Sequence, residues 1–371
     1  MATKLTIDDI ARLAGVSKAT VSRAMNGKPD VDPATRERIL SIVEKEGFKP
    51  SATAVGLAGR SHLISVLIPS MASETYIFDI LRGVADVVTE AGYELVLYSV
   101  NENAQDNNRN TVIDRILTSK LSAALLAILP GQLGGHIAQL YKPDFPIVMI
   151  DDSEPPSDKM PWVGVRNSEG ARKAVFHLYS LGHRRIAHVT GPLQRLCSRE
   201  RLEGYRSALA DLGLEYDPAL VVSGEFSAPS GHAAALPLFN LPADQRPTAI
   251  FAANDFMAYG IIDAAHSYHL RIPEDIALIG FDDTSSSVHM QPSLTTVRQP
   301  FYELGQTGCQ LLFSLLEQSR SGRFQAYGKS FSSFATMHAK DFKQVAAMPA
   351  HIYLDTELMV RKSCGADLPV R

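Results

Sequence analysis

With 371 residues the chain is too long for one ordinary hydrophobic core, so two or more packing units are expected. Hydrophobic residues make up 45% and charged residues 20%, which excludes a disordered chain, and no apolar run reaches the roughly 18 residues of a membrane span. The net charge of −4 is uneven, because residues 1–60 hold ten Lys/Arg against seven Asp/Glu while the remainder is acidic, a pattern that suits a small DNA-binding head on a larger body.

The first residues carry Asp8 and Asp9 where a secretory signal would place its apolar region, so a cytoplasmic protein is expected. Ile7, Ile10, Ala11 and Ala14 share one face of a predicted helix. Thr6 is its N-cap, Asp9 the capping-box partner and Gly15 the stop. Ser17 caps a second helix that buries Val21, Ala24 and Met25. Two short helices joined by Gly15-Val16-Ser17 form the tight turn of a helix-turn-helix. Asp32 and Pro33 open a third helix, with apolar Ile39, Ile42 and Val43, and Gly47 ends it. Periodicity alone also allows a three-helix bundle of no special role. The second helix argues otherwise, since Lys18, Ala19, Ser22 and Arg23 lie opposite its core side, where a groove-inserted helix meets base edges.

The string from Thr6 to Ala11, continued by Gly15-Val16-Ser17-Lys18-Ala19-Thr20-Val21-Ser22-Arg23-Ala24-Met25-Asn26-Gly27, resembles the headpiece signature of the LacI/GalR family of bacterial regulators. The resemblance implies that Thr6, Ser17, Lys18, Ala19, Thr20, Ser22, Arg23 and Asn26 face operator DNA. It also implies that residues 51–61 form a hinge helix, with Leu57 wedged into the minor groove. In isolation the same small residues read as a linker, since Gly56 costs roughly 1 kcal/mol in a helix. Ser51 and Val55 depart from the family's usual residues there.

From residue 63 onward, apolar β-like runs alternate with helical stretches: 63–69, 93–100, 121–129, 146–150, 185–190, 220–223, 248–252 and 276–280. Alternation of this kind predicts parallel sheets covered by helices, here in two series. Gly182-His183-Arg184-Arg185-Ile186-Ala187, Ala253-Asn254-Asp255, Gly280-Phe281-Asp282-Asp283 and Leu294-Thr295-Thr296-Val297-Arg298-Gln299-Pro300 resemble the same family's core. The expected fold is therefore an all-α helix-turn-helix headpiece, residues 1–50, and an α/β core of two parallel-sheet lobes like a periplasmic binding protein, residues 62–371. Family crossings place 62–166 and about 298–325 in lobe one, and 167–297 with about 349–371 in lobe two. Residues 318–348 read as an insertion.

The resemblance nominates Tyr76, Arg201, Phe226, Asn254 and Asp282 for a small-molecule effector, with Asp152 and Gln299 as further candidates. An acceptor, two donors and two flat apolar faces suit a sugar, with a purine as the alternative. Phe226 can also be read as core, and Asp282 as a helix N-cap before Thr284. Glu74, Thr75 and Arg166 depart from the family pattern. His177, His183 and His188 match no zinc spacing, Ser198 lacks a hydrolase elbow, and Gly131 to Gly135 has no dinucleotide spacing. Neither metal, cofactor nor catalysis is expected. Cys197, Cys309 and Cys364 form no disulfide framework. The tail after Arg361 lacks heptads, so a homodimer is expected. A soluble sugar-binding protein with no DNA role and an α/β enzyme are the alternatives.

Overall fold

Thr6 starts the first helix as a full capping box, accepting from the Asp9 N–H at 3.4 Å while its own N–H meets Asp9 Oδ2 at 2.9 Å. That helix, α1, spans Ile7–Ala14 and ends on Gly15 at φ 64°. Ser17 Oγ accepts from the Thr20 N–H at 3.1 Å and opens α2, Lys18–Met25. Asp32 and Pro33 open α3, Pro33–Lys45. Ile10, Val21 and Ile39, one from each helix, are fully buried against each other. The computed structural model describes residues 5–25, 28–48, 62–69, 76–100, 106–119, 121–130, 133–141, 145–151, 154–158, 160–321 and 351–368. Asn26, residues 51–61 with Leu57, Asp152 and residues 322–348 of the expected insertion lie outside them. The insertion's first residues, 318–321, continue a helix.

The three helices belong to one compact unit and both sheets to another. The first sheet contains β1 (Leu63–Pro69), β2 (Glu94–Val100), β3 (Ala124–Ile128), β4 (Ile147–Ile150) and β5 (Trp162–Val165). Its helices include α4 (Ile77–Glu90), α5 (Asp106–Ser119) and α6 (Leu133–Leu140). The second sheet contains β6 (Ile186–Thr190), β7 (Val221–Ser223), β8 (Ala249–Ala252), β9 (Ala277–Asp282) and β10 (Thr295–Arg298). Four helices cover it: α7 (Asn167–Ser180), α8 (Leu196–Asp211), α9 (Ala228–Phe239) and α10 (Asp255–Ser267). Ala171, Val175 and Tyr205 fill one face of that sheet, and Ala235, Met257 and Ile261 the other. Both faces are buried, which is why these strands are continuous apolar runs.

The chain then returns to the first lobe as α11 (Phe301–Ser321), which packs on α4, β3 and β4. Strand β11 (His351–Leu354) joins the first sheet beside β5, and β12 (Glu357–Met359) joins the second, antiparallel to β10. Strand orders are β11-β5-β4-β3-β1-β2 and β12-β10-β9-β8-β6-β7. The expectation that all of 349–371 belongs to lobe two is therefore corrected. His351 to Leu354 pair with Trp162 to Val165, and only the residues beyond Thr356 reach the second sheet. Three connections, at 165–167, 298–301 and 354–357, join the lobes.

Helices α4 and α11 meet through glycine. A Cβ on Gly305 would stand 2.0 Å from the Ile80 carbonyl oxygen, and one on Gly83 would stand 2.1 Å from that of Tyr302. This close approach stacks Tyr76, at the start of α4, on Phe301, at the start of α11, with ring centroids 4.9 Å apart. Gly305→Ala is expected to cost about 1–3 kcal/mol by overpacking, read from denaturant midpoints at an unchanged slope.

Candidate functional site

Beyond the carboxyl ends of the strands, where ligands of open α/β sheets bind, both lobes contribute to one cavity. It encloses about 750 Å³ including its open mouth. Tyr76, Arg201, Phe226, Asn254 and Asp282 all line it, and so does Gln299. Lobe one supplies Tyr76 and Phe301, and lobe two supplies Phe226 and Phe256, so aromatic rings stand on both walls. Sequence reasoning did not single out Phe301, Phe256, Asp151, Arg195 or Cys197. Phe256 lies two positions past Asn254 in the first turn of α10, and Asp151 directly follows β4. Those chain positions are the available signal.

The polar floor is built around a buried ion pair. Arg201 is 3% exposed and Asp282 7% exposed, with Nη1 3.7 Å from Oδ1. Arg201 also donates from Nε to Asn167 Oδ1 at 3.0 Å and from Nη1 to the Ala253 carbonyl at 2.5 Å. Its guanidinium lies 3.7 Å over the Phe281 ring. Asp282 Oδ1 further accepts from Gln299 Nε2 at 2.6 Å, which ties it to a connection between the lobes. The reading of Asp282 as a helix N-cap does not hold. No helix follows it, and the Thr284 N–H is taken by Asp255 Oδ2 at 2.8 Å. The capping residue is Asn254, whose side chain accepts from the Met257 N–H at 2.9 Å and donates to the Phe226 carbonyl at 3.2 Å. Asn254 thereby fixes the loop that presents Phe226 to the cavity.

Backbone strain gathers at the same place. Leu129, Asp151, Phe226 and Asp282, at φ 46°, 53°, 56° and 115°, all line the cavity, and Asp283 beside them has φ 56°. Non-glycine residues in this region cost of order 1–3 kcal/mol, and such strain concentrates at ligand sites. Burial pushes the Cys197 thiol up to about 11, so it faces the cavity uncharged. His188 is fully buried, stacked between Phe251 and Tyr205, and burial lowers its pKa to about 4. Its role is that of a neutral packing residue.

In the head, Ser17, Lys18, Ala19 and Arg23 are exposed, Thr20 and Ser22 half-buried. Thr6 is exposed and held by its capping box. Lys18 Nζ lies 2.8 Å from Asp8 and Arg23 Nε 3.6 Å from Asp30, both pairs solvent-exposed. Exposed pairs are weak, so both cations can exchange their partners for phosphate or base at small cost.

A profile of bacterial regulatory proteins of the lacI family matches residues 6–51, and a periplasmic binding protein-like domain matches residues 175–325. Catabolite control protein A of Priestia megaterium is 34% identical over 83% of this chain and 91% of its own. The ribose operon repressor of Escherichia coli K12 is 35% identical over 84% and 93%. This chain belongs to the LacI family of bacterial regulatory proteins. A crystal structure of the lac repressor dimer bound to operator and the anti-inducer ONPF superposes with a TM-score of 0.74 at 28% identity, covering 98% of this chain and 99% of that one. The transcriptional regulator CelR in its cellobiose complex gives 0.65 at 28% identity, covering 97% and 99%. The LacI-family head, with its helix-turn-helix, makes this a DNA-binding transcription regulator and removes the reading as a sugar-binding protein with no DNA role. Among the described residues no helix is long and apolar enough to cross a membrane.

Proposed function

We propose that the chain represses transcription as a homodimer on a near-palindromic operator, and that a sugar in the inter-lobe cavity controls it. The observation that carries the effector class is the buried Arg201–Asp282 pair, donor beside acceptor, set between aromatic walls. Hydroxyl groups need both kinds of partner, and the apolar face of a sugar ring packs on aromatic side chains. The protein acts in the cytoplasm, where operator DNA lies, and performs no catalysis. Two sites and a reciprocal coupling free energy make the control allosteric, with residues 51–61 as hinge and Leu57 as minor-groove wedge. Half-sites are read by Thr6, Ser17, Lys18, Ala19, Thr20, Ser22, Arg23 and Asn26. The deciding experiment is binding to the DNA upstream of its own operon, titrated with free sugars and, separately, with purines. Release by purines alone overturns the sugar.

Arg23, exposed on α2, is assigned to a base edge. Arg23→Ala is expected to cost about 1–3 kcal/mol on the cognate operator and to relax preference at one base pair. A randomised-operator selection checks this, and an unaltered preference removes Arg23 from the reading set.

A further inference from the structure

We infer that the effector is electrically neutral, an unphosphorylated and non-acidic sugar or glycoside, and that the cavity rejects its phosphate ester and its sugar acid. The inference rests on the sugar reading above and concerns the same cavity. Among the described residues its charged lining is two cations, Arg195 and Arg201, and two anions, Asp151 and Asp282, which balance. A phosphate needs surplus positive charge or a free guanidinium fork. Arg201 supplies no surplus charge, because Asp282 is its counterion, and its fork is partly taken, with Nε on Asn167, Nη1 on the Ala253 carbonyl and the Phe281 ring against its face. Arg195 is engaged as well. The two carboxylates come from opposite lobes, so an anion in the cavity meets negative charge from both sides.

Four aromatic rings and the uncharged Cys197 thiol complete a lining that desolvates a charged group without replacing its hydration. A neutral ring, by contrast, satisfies the Asp282–Arg201–Gln299 cluster with hydroxyls and the walls with its C–H faces.

The test is titration calorimetry on the full-length protein with matched pairs: ribose and ribose 5-phosphate, glucose and glucose 6-phosphate, glucose and glucuronate, adenosine and AMP. Inorganic phosphate is titrated alone. Within any pair that binds, the charged member is expected to be weaker by at least about a hundredfold, the scale of one unscreened like-charge contact at short range. Asp151→Asn removes one facing carboxylate and is expected to narrow that ratio by about tenfold. A phosphate ester bound as well as its parent overturns the inference, and so does a ratio that Asp151→Asn leaves unchanged. If no pair binds, the phosphate titration decides. Absence of saturable heat supports neutrality, whereas a saturable phosphate site lost in Arg201→Met overturns it. Binding of adenosine without AMP removes the sugar reading and leaves neutrality standing, so the two failures are told apart.

Discussion

Exchanging Asp282 for alanine is expected to raise the sugar concentration that half-releases the operator by at least about tenfold. The carboxylate sits between Arg201 and Gln299, 7% exposed, on the cavity floor. Its loss removes the acceptor for ligand hydroxyls, and leaving a buried group unsatisfied costs about 1–3 kcal/mol. It also strands the Arg201 guanidinium, 3% exposed, without its counterion, and breaking a buried ion pair from one side costs about 3–5 kcal/mol. The alanine variant should therefore melt earlier as well as respond poorly. Asp282→Asn separates the two effects, because an amide keeps the shape and one acceptor oxygen while giving up the charge. It is expected to lose less stability than the alanine variant, because the amide oxygen still accepts from Gln299 and fills the space, and still to respond more weakly. Operator affinity without effector should change little in either variant, since the head reads the DNA. A wild-type effector response in Asp282→Ala would remove the residue from the site.

How far such a site can be read in advance depends on whether its parts are local. The head was legible residue by residue, because the Thr6–Asp9 capping box, the Gly15 stop and the Asp32–Pro33 start are decided within four residues of chain. Long apolar strands such as β1 and β9 were legible too. Strands β5, β10, β11 and β12, of three or four residues each, were not among the β-like runs, because runs so short show no period even where β-branched and aromatic residues fill them. They are defined by partners far away, as His351 is by Trp162. Assignment of β11 to the wrong lobe has the same cause, since the chain changes sheets within the two residues between Leu354 and Glu357. In the cavity, Tyr76, Arg201, Phe226, Asn254 and Asp282 came from motif resemblance. Phe301 escaped notice because its place beside Tyr76 depends on the glycine contact between α4 and α11, which sequence spacing does not reveal.

Asp255 lies beneath the cavity, and its removal is expected to have the largest effect on stability. The carboxylate has no exposed surface and accepts from the Thr284 N–H at 2.8 Å, Ser287 Oγ at 2.7 Å and Thr296 Oγ1 at 2.5 Å. It thus ties the first turn of α10 to β10 and to the loop that begins with Asp282 and Asp283. Asp283 is in turn held by Arg298 at 2.7 Å and Arg361 at 2.6 Å. Asp255→Ala orphans three donors, and at about 1–3 kcal/mol each the cost is several kcal/mol, visible as a large fall in Tm. Asparagine is a different case. Its oxygen can serve Thr284 and Ser287 while its amide donates to Thr296, whose hydroxyl rotates. Burial pushes the Asp255 pKa up to about 6, against the three hydrogen bonds that lower it and with a smaller push from Asp283. The folded state therefore holds this proton more tightly than the unfolded chain, whose value is near 3.8. The resulting stabilisation is complete below that value and is lost as pH rises through about 6. Melting temperature followed from pH 7 to pH 5 should consequently rise through this group in the wild type, whereas Asp255→Asn should lack that component and stay near wild-type stability at neutral pH. Identical pH profiles for the two proteins would place the titrating proton on another residue.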